Sequence, residues 1–397
     1  MDFEKRVSLI VGLRNNLDYT IAFYNRVRAL YQQVEIVFVS YGSTDGTHEW
    51  LDNLQDECVK YHYENESKSL SHTYNKGVEL ASSELVSYLH NDLIIGEGFV
   101  EELVKAWKKR TVLIYSLVEP PIFVSDEQNW KTIRDFGSDL ETFDMGAFND
   151  YVSGVMASDA KPFVTKDESF FLCVEKEWLV EMGGLDTTFQ PMFCEDSDLM
   201  MRFHIQDAEL IQVPKAVAYH FVSKTSRFSK EFEKKSKEID ELGIRNFYRK
   251  WRCSPQASFK HSYDLVAVVK NATPDGLYKI EPFFAKVYTD LPKAEYIDKY
   301  QHTTAIDLSD RIEPIDEIPY HDVVVHLDEK QLTEKDYQRI RALSDIISRN
   351  RIKMKHPLKS LFKDYSKIKT GHISGKIFNF NPLERSFSIS TPIKNNS

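Results

Sequence analysis

Short apolar runs alternate with helix-period segments through the first 120 residues. VSLIVGL (7–13), EIVFVSY (35–41), VKYHYEN (59–65), ELVSYLHND (84–92) and VLIYSLVEP (112–120) are strand-like, several of them rich in β-branched residues. Between them, a period near 3.6 predicts helices over Asp18–Tyr31, Asp45–Leu54, Ser71–Leu80 and Glu97–Trp107. The first gathers Ile21, Tyr24, Val27, Arg28 and Tyr31 on one side, and the second opens with capping chemistry. Strands apolar on both faces and separated by helices predict a parallel sheet covered on both sides. Ligands of such sheets bind beyond the carboxyl ends of the strands. Attention therefore falls on Asn15, the 40–46 loop and His90-Asn91-Asp92.

Residues 121–170 show neither period and predict a long irregular segment of the kind used as a substrate loop. The helical pattern returns from Glu175 through Met182 to a Gly183-Gly184 stop, and again over Ser197–Gln206. AELIQV and KAVAYHF predict strands around Pro214. Residues 223–252 read as a charged helical connection. A second unit follows, with strands in SYDLVAVVKN (262–271) and YHDVVVHL (320–327) and a helix over 334–348 after Thr333. The predicted organisation is a domain over 1–225, a helical connection over 226–259, a small α/β domain over 260–348 and a basic amphipathic tail over 349–397. No internal repeat is found.

Composition narrows this picture. At 397 residues with 42% hydrophobic positions the chain is globular, and no stretch approaches the 18 apolar residues of a membrane span. The N-terminal residues lack the pattern of a secretory signal. Four cysteines, Cys58, Cys173, Cys194 and Cys253, share no metal or disulfide spacing, which predicts reduced thiols and a cytoplasmic setting. The net charge of −10 hides an asymmetry: residues 1–330 carry −19 and residues 331–397 carry +9. That split predicts that the C-terminal end meets something anionic.

Three positions carry candidate chemistry. Asp92 ends an apolar strand, where it can bind Mg²⁺ or Mn²⁺ that also holds a diphosphate, or cap the following turn. Glu195-Asp196-Ser197-Asp198 opens a helix; these residues can simply cap it, or one acid can accept a proton from an attacking hydroxyl. The helix N-terminus is expected to keep such a carboxylate at low pKa. His220 ends the strand AVAY and is structural unless its partners make it a ligand.

Taken in order, the motifs resemble the family 2 glycosyltransferases. The blocks are SLIVGLRNN (8–16), EIVFVSYGSTDGT (35–47), YNKGVELASSELVSYLHND (74–92), MGGLDTTF (182–189) with EDSDLMMR (195–202), and VPKAVAYH (213–220). The resemblance spans about residues 7–225. It implies a GT-A fold, an α/β architecture with a mainly parallel sheet between helices. It also implies an inverting, metal-assisted transfer from a nucleotide-diphosphate sugar to an acceptor hydroxyl. Asp92 and His220 match the metal site, Asp196 the general base, and Asn15, Ser40, Tyr41, Asp45, Lys68 and Asn91 the donor-binding positions. On its own residues Asp45 reads first as a loop-shaping cap, Lys68 reads equally as an exposed lysine, and Arg202 can pair with Asp198. His72 and Trp107 read as packing or surface residues.

Two departures from the family stand out. Ser40 and Tyr41 replace an Asp-Asp pair, so Tyr41 is expected to stack on the donor base and Ser40 to hydrogen-bond it. His90-Asn91-Asp92 keeps only the last acid of the metal motif. A glycan or lipid-linked glycan is the expected acceptor. The alternatives are a modified nucleic-acid base as acceptor, or a catalytically reduced sugar-nucleotide-binding scaffold. In the tail, residues 349–376 hold nine Lys and Arg against one Asp, and Leu358, Leu361, Phe362, Tyr365 and Ile368 have helical spacing. Such a helix suits an anionic membrane surface, nucleic-acid phosphates, or the protein's own acidic body.

Overall fold

The computed structural model describes residues 3–122, 128–222, 234–255, 264–316, 318–344, 346–347 and 366–378. The chain forms two compact units, Met1–Ile239 and Asp240–Ser397.

The first unit runs β1 (Val7–Leu13), α1 (Leu17–Leu30), β2 (Glu35–Tyr41), α2 (Thr47–Asn53), β3 (Val59–Glu64), α3 (Leu70–Leu80), β4 (Leu85–His90), β5 (Leu93–Ile95) and α4 (Phe99–Ala106). It continues with β6 (Thr111–Glu119), β7 (Lys131–Ile133), α5 (Met145–Ala157), β8 (Phe163–Val164), β9 (Leu172–Glu175), α6 (Lys176–Glu181), α7 (Glu195–Ile205) and β10 (Glu209–His220). The strands lie in the order β3-β2-β1-β4-β9-β6-β10-β5, with β7 beside β6 and β8 beside β10. β1, β2, β3 and β4 pair in parallel, β9 runs antiparallel between β4 and β6, and β10 is again parallel to β6. The carboxyl ends of β1, β4, β6 and β10 therefore share one edge of the sheet. The strand order reverses between β1 and β4, which opens a crevice there.

The continuous apolar runs follow from burial on both faces. Leu9 and Val11 enter one core with Phe23, Phe38 and Leu51, while the intervening Ile10 enters another with Tyr74 and Val78. Gly77 lets α3 lie against β1, because a Cβ there would come within 2.3 Å of Ile10 Cγ2. Two motif blocks far apart in sequence form one contact. Asn75 donates to Leu185 O and accepts from Leu185 N, both at 2.8 Å, and a Cβ on Gly184 would strike Asn75 Oδ1.

Three expectations change here. Residues 121–170 are not irregular throughout, since they hold β7, β8 and the thirteen-residue α5, whose first turn is capped by Asp144 accepting from Ala147 N at 2.9 Å. Phe148 and Val152 of α5 are buried, and Met145, Tyr151, Val155 and Met156 pack beside them, so the helical spacing is present within an otherwise irregular stretch. The two strands expected around Pro214 are one strand, β10, with a register shift between Val213 and Val217 that accommodates the proline.

The second unit contains α8 (Ser236–Trp251, most of its length), β11 (Leu265–Lys270), α9 (Pro274–Ile280), β12 (Val287–Thr289), α10 (Lys293–Tyr300), β13 (Ile312–Pro314), β14 (Val323–Asp328), α11 (Glu334–Arg341), β15 (Ser366–Thr370) and β16 (Ile373–Ile377). Its sheet order is β13-β12-β11-β14-β16-β15. Tyr248 of α8 and Ile368, Ile373 and Ile377 of the terminal hairpin belong to its core. Glu281 is fully buried between Arg249, 2.9 Å away, and Arg311, with Tyr296 donating at 3.2 Å. The third change concerns the tail: residues 366–369 are strand, not helix. Ile368 points inward while Lys367 and Lys369 are exposed, so alternation of period two wins over the helical spacing. Residues 349–365 of the expected tail lie outside the described residues.

Candidate active site

A cleft opens at the carboxyl ends of β1, β2 and β4. Gly12, Arg14, Tyr41, Lys68, Tyr74, His90, Asn91, Asp92, Met192 and His220 contribute to its lining. Sheet register explains why Asp92 and His220, far apart in sequence, meet there. β5 follows Asp92 directly and pairs Leu93 with His220, and Phe221 N donates to Asp92 O at 3.1 Å.

The result is a cluster of three ligand-type side chains. His220 Nε2 lies 3.5 Å and His90 Nδ1 3.9 Å from Asp92 Oδ1, and the ligand atoms of all three lie within 4.8 Å of one another. Asp92 and His220 are buried. Glu119, at the end of β6, accepts from His220 Nδ1 at 2.9 Å. That bond fixes the ring, so Nε2 is the nitrogen turned toward Asp92 Oδ1. Burial works against charge on His220, yet Asp92 and Glu119 outweigh it and raise its pKa to about 9. A proton and a cation compete for that nitrogen. His90 behaves oppositely: desolvation pushes its pKa down to about 4, against the pull of Asp92, although about a third of the side chain reaches solvent. Its ring packs against Phe170 and Phe171, with centroids 5.1 and 4.9 Å away. Two imidazoles and a carboxylate converging in this way fit a divalent cation.

The donor-side positions separate into two groups. Tyr41, Lys68 and Asn91 line the cleft. The Lys68 ammonium lies 4.6 Å above the Tyr41 ring and 2.7 Å from Glu64, and Asn91 Nδ2 donates to Asn15 O and Thr20 Oγ1. Ser40, Asn15 and Asp45 build the walls instead. Ser40 is fully buried, with its hydroxyl hydrogen-bonded to Ser43 and His48, so the structure does not bring it to the cleft. Asn15 Oδ1 accepts from Thr44 N at 2.7 Å, and Asp45 accepts from Leu17 N and Thr47 N. Together they tie the loop after β1 to the loop after β2.

On the other side, Pro191 and Met192 border the cleft just before α7, and Leu70 N donates to Pro191 O at 2.9 Å. Phe193 and Cys194 both adopt left-handed backbone, φ 79° and 70°, and deliver the chain into Glu195. Such conformations each cost roughly 1–3 kcal/mol and cluster at functional sites. Glu195 is buried, its Oε2 has no hydrogen-bond partner among the described residues, and burial followed by the Asp196 charge lifts its pKa to about 8. Asp196 is half-buried and accepts from Ser197 N at 2.7 Å. The low pKa expected of Asp196 is corrected: desolvation dominates the helix terminus, and Glu168 adds to it, so its pKa is raised. Arg202 pairs with Asp198 at 2.8 Å and donates to Met182 O, anchoring α7 to the Gly-Gly segment.

Sequence reasoning named His90 and Glu195 within their clusters without giving either a role of its own, and passed over Glu119 and Arg14. His90 was legible as the i−2 neighbour of Asp92 on the same strand end, a spacing that favours one side of the chain. Glu119 ends a strand just as Asp92 and His220 do.

Residues 8–163 match the model of glycosyl transferase family 2. The glycosyltransferase GlyG of Streptococcus pneumoniae serotype 4 is 27% identical over 100 residues, covering 24% of this chain and 33% of that protein. The match thus spans about a third of the length of that curated relative. Among solved structures, GalNAc-T7 with UDP, GalNAc and Mn²⁺ has a TM-score of 0.44 at 16% identity, over 62% of this chain and 50% of the other. The mannosyltransferase PcManGT of Pyrobaculum calidifontis, in complex with GDP-Man and Mn²⁺, gives 0.39 at 18% identity, over 55% and 57%. S. aureus TarS gives 0.40 at 16%, over 54% and 60%. The motif blocks from SLIVGLRNN to YNKGVELASSELVSYLHND lie within residues 8–163, the part of the chain that matches the glycosyl transferase family 2 model.

Proposed function

We propose that this chain transfers a sugar from a nucleotide-diphosphate donor to an acceptor hydroxyl with inversion, assisted by a divalent cation. The observation that carries the reading is the convergence of His90, Asp92 and His220 in a cleft at the sheet's switch point, with His90 and Asp92 inside the segment that matches the family 2 model. A bound cation would supply charge to balance the leaving diphosphate. His90, Asp92 and His220 would hold it, with Glu119 orienting His220. Lys68 and Arg14 add positive charge to the same cleft. Tyr41 offers an aromatic face to the donor base, and Asn91 holds the turn that presents Asp92. Asp196 takes the acceptor proton. Its raised pKa suits that task better than a fully solvated carboxylate would, because proton transfer is most effective when donor and acceptor are closely matched.

The acceptor in this reading is a glycan or a lipid-linked glycan. Lys367, Lys369 and Lys376 are exposed on the terminal hairpin, and Lys367 sits opposite Lys376, which gives this part of the basic tail a cationic face for an anionic membrane surface. Among the described residues no helix is long and apolar enough to cross a membrane. The test is thermal-shift screening against UDP-, GDP-, CDP- and dTDP-sugars with Mn²⁺. At least one donor is expected to raise the melting temperature in a cation-dependent way, and a flat response across the panel would refute the reading.

A further inference from the structure

We propose that Arg252, in the second unit, anchors a binding site for a phosphate group. The inference goes beyond the transferase reading and does not depend on it. Three observations carry it.

The first is a surplus of buried positive charge. Arg245, Arg249 and Arg252 are spaced by four and three residues along α8 and the residue that follows it, which sets them on one side. Arg311 joins them, and the carboxylates in their midst are Glu281 and Asp264. The second is that these carboxylates are already engaged. Glu281 Oε2 accepts from Arg249 Nη2 at 2.9 Å and from Tyr296 at 3.2 Å, while its Oε1 accepts from Arg311 Nε. Asp264 Oδ2 lies 2.6 Å from His321 Nδ1. Residues 253–263, CSPQASFKHSY, contain no acid and add a lysine and a histidine.

The third is the state of Arg252 itself. Arg249 and Arg311 direct their donors to Glu281, Asn246 and backbone carbonyls, and the Arg245 guanidinium stacks on the Tyr278 ring 3.6 Å away. Arg252 differs, because its Nε and Nη1 are buried without a hydrogen-bond partner among the described residues. Those two nitrogens carry three N–H donors. Burial and then Arg311 lower its pKa to about 10, so the group stays charged at neutral pH.

Buried charges are costly unless paired, and a buried donor without an acceptor calls for one. A phosphate offers several oxygens to the planar guanidinium and the opposite charge. Asp264 opposes an anion here, but Arg311, whose influence on Arg252 is larger, favours it. Asp264 and Arg311 immediately precede β11 and β13, so the cluster lies at the amino edge of the second sheet. Arg252 as a whole is only partly buried, which leaves an approach from solvent.

Thermal melting of the full-length protein in phosphate-free buffer, with inorganic phosphate or pyrophosphate added at constant ionic strength and without divalent ions, tests this. Wild type is expected to gain about 3–5 °C once the ion exceeds its Kd about tenfold. Arg252→Met should lose that gain. It should also melt no lower than wild type in phosphate-free buffer, because an uncompensated charge leaves with the side chain. Arg252→Lys keeps the charge without the planar fork and should retain only part of the gain. Co-sedimentation with phosphatidic acid vesicles separates the sources: Arg252-dependent binding there assigns the phosphate to a lipid headgroup, and a response to the soluble ions alone assigns it to a free phosphate. No response to either ion and no Arg252-dependent vesicle binding would overturn the inference. An equal shift in Arg252→Met would also overturn it, by assigning the ions to another site. So would a marked loss of stability of that variant in phosphate-free buffer, since the guanidinium would then be paired within the chain.

Discussion

Glu195 and Asp196 are adjacent in sequence, yet one is buried and the other half-buried, and the cleft lining stops at Pro191 and Met192, short of both. Asp196→Asn should retain donor affinity within about threefold while transfer falls by roughly 10²–10⁴, as expected for loss of a general base. Titration calorimetry and product formation on the same sample separate the two effects; a parallel loss of binding would assign Asp196 to the donor site instead. Glu119 acts through His220. Glu119→Ala should weaken Mn²⁺ binding about 10–100-fold, with partial recovery in Glu119→Gln, since removal of such orienting partners has that typical cost. At this scale the sequence exposed what ends a strand and hid what only neighbours reveal. Asp92 and His220 were legible as strand-end residues. Ser40 misled because adjacent strand residues face opposite sides: with Tyr41 at the cleft, Ser40 turns to Ser43 and His48.

Elements carry the next level. The loops after β1 and β2 are joined by Asn15 and Asp45, which makes Asp45 a structural link between two helix starts. Asp45→Ala should cost about 1 kcal/mol of stability, the typical cost of a lost cap, and leave donor affinity unchanged. A urea melt together with a donor titration checks both halves. The alternation of β1 through β4 with their helices was plain in the sequence because every strand is apolar on both faces. α5 carries the same kind of signal in Met145, Phe148, Tyr151, Val152, Val155 and Met156, but the polar, turn-rich residues around it mask so short a run. Leu358, Leu361, Phe362, Tyr365 and Ile368 share a spacing that predicts a helix through residue 369, into the first strand of the hairpin. Pairing of β16 with β14 decides the conformation of residues 366–377 instead.

Across the whole molecule, each unit has its own core and its own electrostatics. In the second unit, burial alone would raise the Glu281 pKa, but Arg311 and Arg249 reverse this and hold it down at about 2, from an ordinary 4.5. Because the folded value is depressed, the stabilisation is complete above pH 4.5 and is lost as pH falls toward 2. The size of the shift corresponds to roughly 3 kcal/mol. Glu281→Ala, which leaves two buried guanidinium groups without their carboxylate, should destabilise this unit by about 3–5 kcal/mol at neutral pH. Melting curves between pH 2.5 and 7 should show the difference between wild type and variant shrinking in acid. A pH-independent difference would deny the ion triad its role. The charge asymmetry along the chain is likewise a whole-molecule property, and the exposed lysines of the hairpin are the described part of it. Alanine at Lys367, Lys369 and Lys376 should reduce retention on phosphatidylserine vesicles and leave donor binding unaffected, by co-sedimentation and titration. The central claim remains that Asp92, with the histidines beside it, grips the cation that makes a sugar donor reactive. Nucleoside diphosphate released from a sugar-nucleotide panel in Mn²⁺, by wild type and Asp92→Ala with and without chelator, measures this most directly. The account predicts slow hydrolysis of at least one donor by wild type, abolished by chelator and by Asp92→Ala. Hydrolysis that persists in the chelated enzyme or in the variant, or a wild type that turns over no donor at all, would contradict it.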